Sequence, residues 1–171
     1  MACAIEQSAT EWFGGAHSLV RQWFIHAVRN PRAHADVAKM LAVPTEDYVN
    51  NWLSRHAGCT VEKVQHRPYD SVGRATNGRL IRQQIKLRTG KWYMSSMYGA
   101  RDFDMMVVFT PGPYFSLRQS TIRCIPACVL ADPMNPAHMV RNADFLKPIF
   151  NCDTMTHRVL RDIYGLSATA K

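Results

Sequence analysis

The chain has 171 residues, which is enough for one domain with a substantial core and too few for two large domains. Its 21 Lys and Arg residues against 13 Asp and Glu residues give a formal net charge of +8, and a basic surface favours anionic partners such as nucleic acid. An odd count of five cysteines, no secretory-signal pattern and no apolar run near the roughly 20 residues of a membrane span predict a cytoplasmic protein without a membrane partner.

The N-terminal part of the chain is predicted to be helical. Apolar side chains recur at three- and four-residue steps over residues 8–28, which indicates one amphipathic helix whose first turns are weakened by Gly14 and Gly15. Pro31 ends this helix. A second helix is predicted over residues 33–41.

Helix-start signals follow. Pro44 cannot sit inside a helix and Thr45 can cap one, so a third helix is predicted over residues 48–56, with Gly58 at its end. The acid Glu46 suits the positive N-terminal end of such a helix, and this ordinary helix charge is one interpretation of that residue.

The period then changes from helical to alternating. Residues 60–65 and 80–87 alternate as strands do, and the pair Asn77-Gly78 before the second segment is a strong hairpin signal. Asp70 is therefore expected close to the hairpin, between or within the two strands.

The remaining elements are predicted from shorter patterns. A continuous apolar run over residues 105–109 indicates a strand buried on both faces, and further strands are expected at 114–117 and 121–129. Residues 143–164 are expected to be helical, with an interruption near Pro148. This order of helices, strands and helices predicts an α/β or α+β fold with a mixed central sheet.

The charge of the chain is concentrated in one stretch. Residues 71–101 hold seven Lys and Arg residues and no Asp or Glu, and the tripeptide Gln84-Ile85-Lys86 lies near its middle. Asp70 is the last acid before this stretch, so carboxylates for any metal site here must come from outside it.

The order of features over residues 45–109 resembles the PD-(D/E)xK nuclease superfamily, also called the restriction-endonuclease-like fold. The shared features are a helix, a strand, an acid, a hairpin turn, a strand with a polar residue and a lysine two apart, and a buried strand; the motif residues are Asp70, Gln84 and Lys86. The resemblance covers about 65 of the 171 residues. It implies a mixed central sheet flanked by helices, an N-terminal helical extension and a metal-dependent nuclease.

The chemistry of such a site explains the residue types. A phosphodiester repels an attacking hydroxide, and a divalent ion polarises the phosphoryl oxygen and lowers the pKa of a bound water. Mg²⁺ prefers oxygen ligands, which Asp70, the Gln84 side chain and the Ile85 backbone carbonyl offer. The resemblance implies one or two Mg²⁺ ions. It also implies that Lys86, on the same strand face as Gln84, positions or deprotonates the attacking water or neutralises developing charge.

Two departures from the family pattern matter. Position 84 is glutamine where most members have Asp or Glu, and the lost negative charge should weaken ion binding. Glu46 or Glu62, just before Asp70, is best placed to compensate. The proline of the motif, Pro68, stands two residues before the acid instead of one, which leaves the chemistry unchanged.

Each of these residues also has an ordinary structural interpretation. Asp70 can cap a turn, Gln84 and Lys86 can form the solvent face of a strand, and Asp104 is expected simply to begin the strand after it.

Basic and aromatic side chains around the motif are predicted to contact DNA, and a solvated basic face is the alternative. Trp92 and Tyr93, followed by Ser95 and Ser96, are expected in a loop that reads base edges or a minor groove, and core anchoring of the two aromatic residues is the alternative. The predicted DNA-binding residues are Arg74, Arg79, Arg82, Arg88, Lys91, Trp92 and Arg101.

A second pattern competes in the N-terminal half. Residues 35–53 alternate small and apolar positions as a helix-turn-helix does, with residues 42–44 as the turn and 45–55 as the recognition helix. The acids Glu46 and Asp47 oppose this interpretation, because they would stand next to phosphates.

The sequence therefore predicts one nuclease domain over residues 1–171, with a helical region 1–44, a catalytic core 45–130 and a C-terminal helical region 131–171. The predicted activity is a Mg²⁺-dependent endonuclease of the restriction or homing type on double-stranded DNA. Cutting both strands implies a homodimer, because one such site attacks one strand. The alternatives are a non-catalytic helix-turn-helix-type DNA-binding protein and an RNA-processing nuclease.

Overall fold

The computed structural model describes residues 1–15, 17–64, 69–93, 99, 101–135 and 137–166. Within these residues the chain forms six α-helices and one five-stranded sheet. The helices are α1 Ala2–Phe13, α2 Leu19–Val28, α3 His34–Met40, α4 Ala42–Ala57, α5 Lys147–Phe150 and α6 Asp153–Tyr164. The strands are β1 Val61–Lys63, β2 Ser71–Arg74, β3 Leu80–Leu87, β4 Met105–Thr110 and β5 Thr121–Pro126.

The sheet is mixed and follows the chain order β1-β2-β3-β4-β5. β3 and β4 pair in parallel, and the other neighbouring strands pair antiparallel. β2 and β3 form the predicted hairpin around Asn77-Gly78, where Gly78 has a φ of 82° that a residue without a Cβ adopts easily. The predicted mixed sheet flanked by helices is confirmed.

The main core lies between the sheet and helices α4 and α6. Met105 to Phe109 of β4 are all buried, as expected for a central strand covered on both faces. Val49 and Leu53 of α4 and Leu160 of α6 belong to the same buried cluster. The sheet edge that carries β1 and β2 is thereby fixed relative to α4.

The N-terminal helices form a second, smaller core. The single helix predicted over residues 8–28 is wrong: α1 ends where Gly14 adopts a φ of 70°, and α2 begins where the Ser18 side chain accepts a hydrogen bond from the Arg21 N–H. Helices α1 to α3 bury their apolar faces on one another and on Phe115.

Helix α4 differs from the prediction at its start. It begins at Ala42, so the predicted turn over residues 42–44 is its first turn, where a proline is tolerated. Thr45 is not a cap, because its backbone N–H donates to Leu41 O inside the helix. The helix-turn-helix interpretation is wrong in its turn. Gly58 ends α4 with a φ of 63°, as predicted.

The C-terminal half contains three further differences. The strand predicted at 114–117 is instead a 3₁₀ turn, Pro113–Phe115, and the strand predicted at 121–129 ends at Pro126. The tail helix is interrupted at residues 151–152, between α5 and α6, and Pro148 lies in the first turn of α5.

None of the described helices is long and apolar enough to cross a membrane.

Candidate active site

Asp70 lies directly before β2, at an irregularity of the sheet. Its carbonyl accepts a hydrogen bond from the Val64 N–H at 3.0 Å, which extends the β1–β2 pairing. Its own N–H donates to Gln83 O at 2.8 Å, although Ser71 is already the register partner of Gln83. Asp70 and Ser71 of one strand thus lie opposite the single residue Gln83 of the next, as in a β-bulge. Such a bulge redirects side chains.

The redirected Asp70 carboxylate reaches across to β3. Asp70 Oδ2 accepts hydrogen bonds from the Ile85 backbone N–H, at 2.6 Å, and from the Gln84 side-chain amide. Gln84 is 2% exposed, so this contact is shielded from solvent. Two of the residues predicted to share a site, fourteen positions apart in the chain, are therefore in direct contact.

Gln84 has a second polar atom that the described residues do not satisfy. Its Oε1 is buried and has no hydrogen-bond partner within the part of the chain that the structure describes. A buried, unsatisfied carbonyl oxygen is costly and calls for a ligand or water. Beside a carboxylate, such an oxygen fits the preference of Mg²⁺ for hard oxygen donors.

Two further features complete the corner of the sheet that Asp70, Gln84 and Ile85 form. In a strand the N–H and C=O of one residue point to the same side, so the Ile85 carbonyl lies on the side of Asp70 as well. Lys86 follows Gln84 by two positions and shares its strand face. Burial raises the pKa of Asp70, while the Ile85 N–H and the nearby Lys86 ammonium oppose this rise.

A second carboxylate lies within electrostatic range. Glu46, in the first turns of α4, raises the pKa of Asp70 further through like-charge repulsion. Its side chain is held by Lys63 of β1, whose Nζ lies 3.1 Å from Glu46 Oε2 and 3.2 Å from Asp47 Oδ1. Partial burial lowers the Lys63 pKa, but these two hydrogen bonds outweigh it and raise the pKa.

Glu62 occupies a different position. It is exposed on β1 and pairs with Val72, two residues along the sheet from Asp70. The structure thus brings Asp70, Gln84 and Ile85 into contact, places Lys86 and Glu46 within electrostatic range of Asp70, and leaves Glu62 at the margin. Among the described residues, no group of three or more His, Cys, Asp or Glu side chains is arranged to hold a metal ion.

A buried polar chain below the site was not predicted. Ser71 Oγ donates to Gln83 Oε1 at 2.6 Å, and Gln83 Nε2 donates to the Tyr164 hydroxyl of α6. A Cβ at Gly73 would overlap that hydroxyl, so glycine is needed there. The only sequence signal was a polar Gln83 at a position of β3 that alternation assigns to the core.

Nothing in the sequence pattern pointed to a role for Lys63. Its alternation on β1 places it beside Ser71, but its partners lie on α4, sixteen residues earlier in the case of Asp47. Only the packing of α4 against β1 brings them together.

The arginines of the hairpin differ in whether their side chains are available to bind a phosphate. Arg74 and Arg79 are exposed and donate to backbone carbonyls, Arg74 to Gly78 O at 3.0 Å and Arg79 to Ile163 O at 3.3 Å. Arg82 is paired with Asp104, its Nε 3.1 Å from Oδ2. As predicted, Asp104 directly precedes β4.

The other predicted DNA-binding residues fall into two groups. Lys91 and Arg101 are exposed. Arg88 is largely enclosed, which lowers its pKa, and donates to Tyr93 O at 2.8 Å. Trp92 is 2% exposed and packs in the main core, so its ring presents no surface to a partner. Ser95 and Ser96 lie outside the described residues.

Comparisons with known proteins add little to this site. No protein-family model and no curated protein matches the chain. Among solved structures, a bacterial homing endonuclease, I-Ssp6803I, aligns with 67% of this chain and 81% of its own length, at 16% sequence identity and a TM-score of 0.30. This degree of likeness does not establish a common fold, and the function is inferred from the side chains described above.

Proposed function

We propose that this protein is a metal-dependent DNA endonuclease whose active site is formed by Asp70, Gln84 and Lys86. The observation that carries this proposal is the contact between the Asp70 carboxylate and Gln84, whose second polar atom is a buried oxygen without a partner among the described residues. A carboxylate and an unsatisfied amide oxygen, with a lysine near both, form a donor set that suits Mg²⁺ and phosphoryl chemistry.

The residues that would hold one or two Mg²⁺ ions are Asp70, Gln84 and the Ile85 carbonyl, with Glu46 as the supporting acid. When bound, the ion supplies charge neutralisation at the scissile phosphate and a water of lowered pKa. Glu46 is favoured over Glu62 because its charge already acts on Asp70.

Lys86 has the chemical role that the metal ligands lack. Its ammonium lies near enough to Asp70 to lower the pKa of that acid, so it borders the same corner of the sheet. From there it holds the attacking water by hydrogen bonding and offsets the negative charge that develops on the phosphate.

Duplex DNA is proposed as the substrate because the stretch of chain that carries Gln84 and Lys86 is basic. Residues 71–101 contain no acid, and exposed Arg74, Arg79, Lys91 and Arg101 are suited to phosphate contacts. We further propose a sequence-specific enzyme of the restriction or homing type that acts as a homodimer, since cutting both strands needs two sites.

Plasmid cleavage tests the proposal. Purified protein is incubated with supercoiled plasmid and Mg²⁺, with EDTA in a parallel reaction, and beside a Lys86→Ala variant. The matched control is Lys39→Ala, because Lys39 is exposed on α3 and pairs only with the exposed Asp36 among the described contacts. Cleavage that needs Mg²⁺, survives Lys39→Ala and falls at least about 100-fold in Lys86→Ala supports the proposal.

Three other outcomes would contradict it. Full cleavage by Lys86→Ala would remove that residue from the chemistry, and plasmid that is shifted in a gel but never cut would indicate a non-catalytic DNA-binding protein. Preference for an RNA substrate under the same conditions would indicate an RNA-processing nuclease.

A further inference from the structure

Lys63 links the proposed metal site to α4 through two ion pairs. Its Nζ lies 3.1 Å from Glu46 Oε2 and 3.2 Å from Asp47 Oδ1, and the Lys63 side chain is about one third exposed. Glu46 is the better shielded of the two acids, with 23% of its side chain exposed against 59% for Asp47. The ammonium is therefore shared between an acid of the site and an acid on the surface.

Both acids of the proposed site already have a lysine nearby, and Asp47 adds a third carboxylate at the surface. Asp70 and Glu46 contribute two negative charges when ionised, and Lys63 and Lys86 contribute two positive charges. Most members of the PD-(D/E)xK superfamily have an acid at the position of Gln84, which is neutral here. A divalent cation that approaches Glu46 therefore meets a carboxylate already paired with Lys63, and its full attraction to Glu46 requires that the lysine release it.

We propose that Lys63 is a positioning residue that occupies Glu46 in the metal-free protein and competes with the metal ion for this carboxylate. This inference rests on the proposed function. On metal binding Glu46 turns to the ion, and Lys63 keeps its contact with Asp47, which lies beside it on the surface. The exchange makes metal affinity depend on a residue that is not itself a proposed metal ligand.

Metal titrations without DNA test this exchange. The affinity for Mg²⁺ is measured by calorimetry and for Mn²⁺ by electron paramagnetic resonance, in the full-length wild type and in Lys63→Gln, Lys63→Arg, Glu46→Gln and the double variant Lys63→Gln/Glu46→Gln. Lys39→Gln is the matched control for the loss of one surface lysine. Thermal unfolding of each variant with EDTA verifies the fold.

The expected result has a specific pattern. Lys63→Gln tightens metal binding about tenfold, Lys63→Arg retains wild-type affinity because it keeps the ion pair, and Lys39→Gln changes nothing. In the Glu46→Gln background, Lys63→Gln has no further effect, because the carboxylate over which lysine and metal compete is gone.

Two results would overturn the inference alone. Wild type that binds metal while Lys63→Gln binds it no tighter shows that Lys63 does not compete. Equal tightening with and without Glu46 shows a general charge effect that does not pass through Glu46. Wild type that binds neither metal and cleaves DNA in EDTA is a different failure, because it removes the proposed metal chemistry together with this exchange.

Discussion

The side-chain amide of Gln84 donates a hydrogen bond to the Asp70 carboxylate, while the carbonyl oxygen of the same amide lies buried without a partner among the described residues. One glutamine thus holds the acid in place through its nitrogen and offers its oxygen to a ligand. A glutamate at position 84 could not donate this hydrogen bond to Asp70 in the metal-free protein, because an ionised carboxylate has no donor.

Substitution of Gln84 separates these two roles. Gln84→Glu should retain cleavage and bind Mg²⁺ about tenfold tighter, because it adds a negative charge to the site. Gln84→Leu should reduce cleavage at least about 100-fold, because it removes the oxygen. Plasmid cleavage and metal calorimetry measure both effects. Equal cleavage by wild type and Gln84→Leu would exclude Gln84 from the site.

Metal-free stability should also respond to Gln84→Glu. The new carboxylate faces Asp70 and cannot donate to it, so the variant should unfold at a lower temperature than wild type in EDTA and gain more from Mg²⁺. Thermal unfolding with and without Mg²⁺ gives the comparison. An equal gain in both proteins would contradict a metal bound between these residues.

Glu46 and Glu62, the two candidates for the supporting acid, should contribute differently to the affinity for Mg²⁺. Glu46→Gln should weaken Mg²⁺ binding about tenfold, because Glu46 acts electrostatically on Asp70, whereas Glu62→Gln should change it less than about twofold. Calorimetry on the two variants decides between them. The reverse order would move the supporting acid to β1.

The raised pKa of Asp70 predicts a pH dependence of stability. An acid whose pKa is raised by folding contributes stability below its unfolded pKa and loses that contribution as pH rises through its folded pKa. Metal-free wild type should therefore lose stability relative to Asp70→Asn as pH rises from the acid range through the raised pKa of Asp70. Urea unfolding in EDTA across that range measures the difference, and a difference that is constant with pH would contradict it.

The buried polar chain predicts a coupling between β2 and α6. Tyr164→Phe leaves the Gln83 amide without an acceptor and should cost about 1–3 kcal/mol of unfolding free energy. Gly73→Ala should cost a similar amount, because the added methyl overlaps the Tyr164 hydroxyl. The double variant should be less destabilised than the sum of the two, because one substitution makes room for the other. Strict additivity in urea unfolding would show that Gly73 and Tyr164 do not interact.

Much of the sheet follows from local sequence. The hairpin at Asn77-Gly78 and the apolar run of β4 predicted three adjacent strands, and the short separation of Asp70 from Gln84 across that hairpin predicted their approach. These features depend on neighbours in the chain, which is why pattern and turn chemistry suffice for them.

What the sequence did not reveal depends on distant contacts. The bulge that redirects Asp70 adds one residue opposite Gln83 and has no composition signal. Trp92 is held in the core by contacts more than fifty residues away: its backbone N–H donates to the Asp144 carboxylate, and Lys147 lies over its ring. The pairing of Lys63 with Glu46 needs α4 docked on β1.

The contact between the hairpin and the end of α6 has a consequence for the order of synthesis. Thr76 N–H donates to Tyr164 O at 3.0 Å, and Thr76 Oγ1 donates to Gly165 O at 2.9 Å, so the turn of the hairpin that carries Gln84 is tied to residues made almost ninety positions later. While the chain emerges from the ribosome, this hairpin lacks its final support until α6 has been translated. A nascent chain that already exposes its basic stretch therefore still lacks the support that α6 gives to this hairpin.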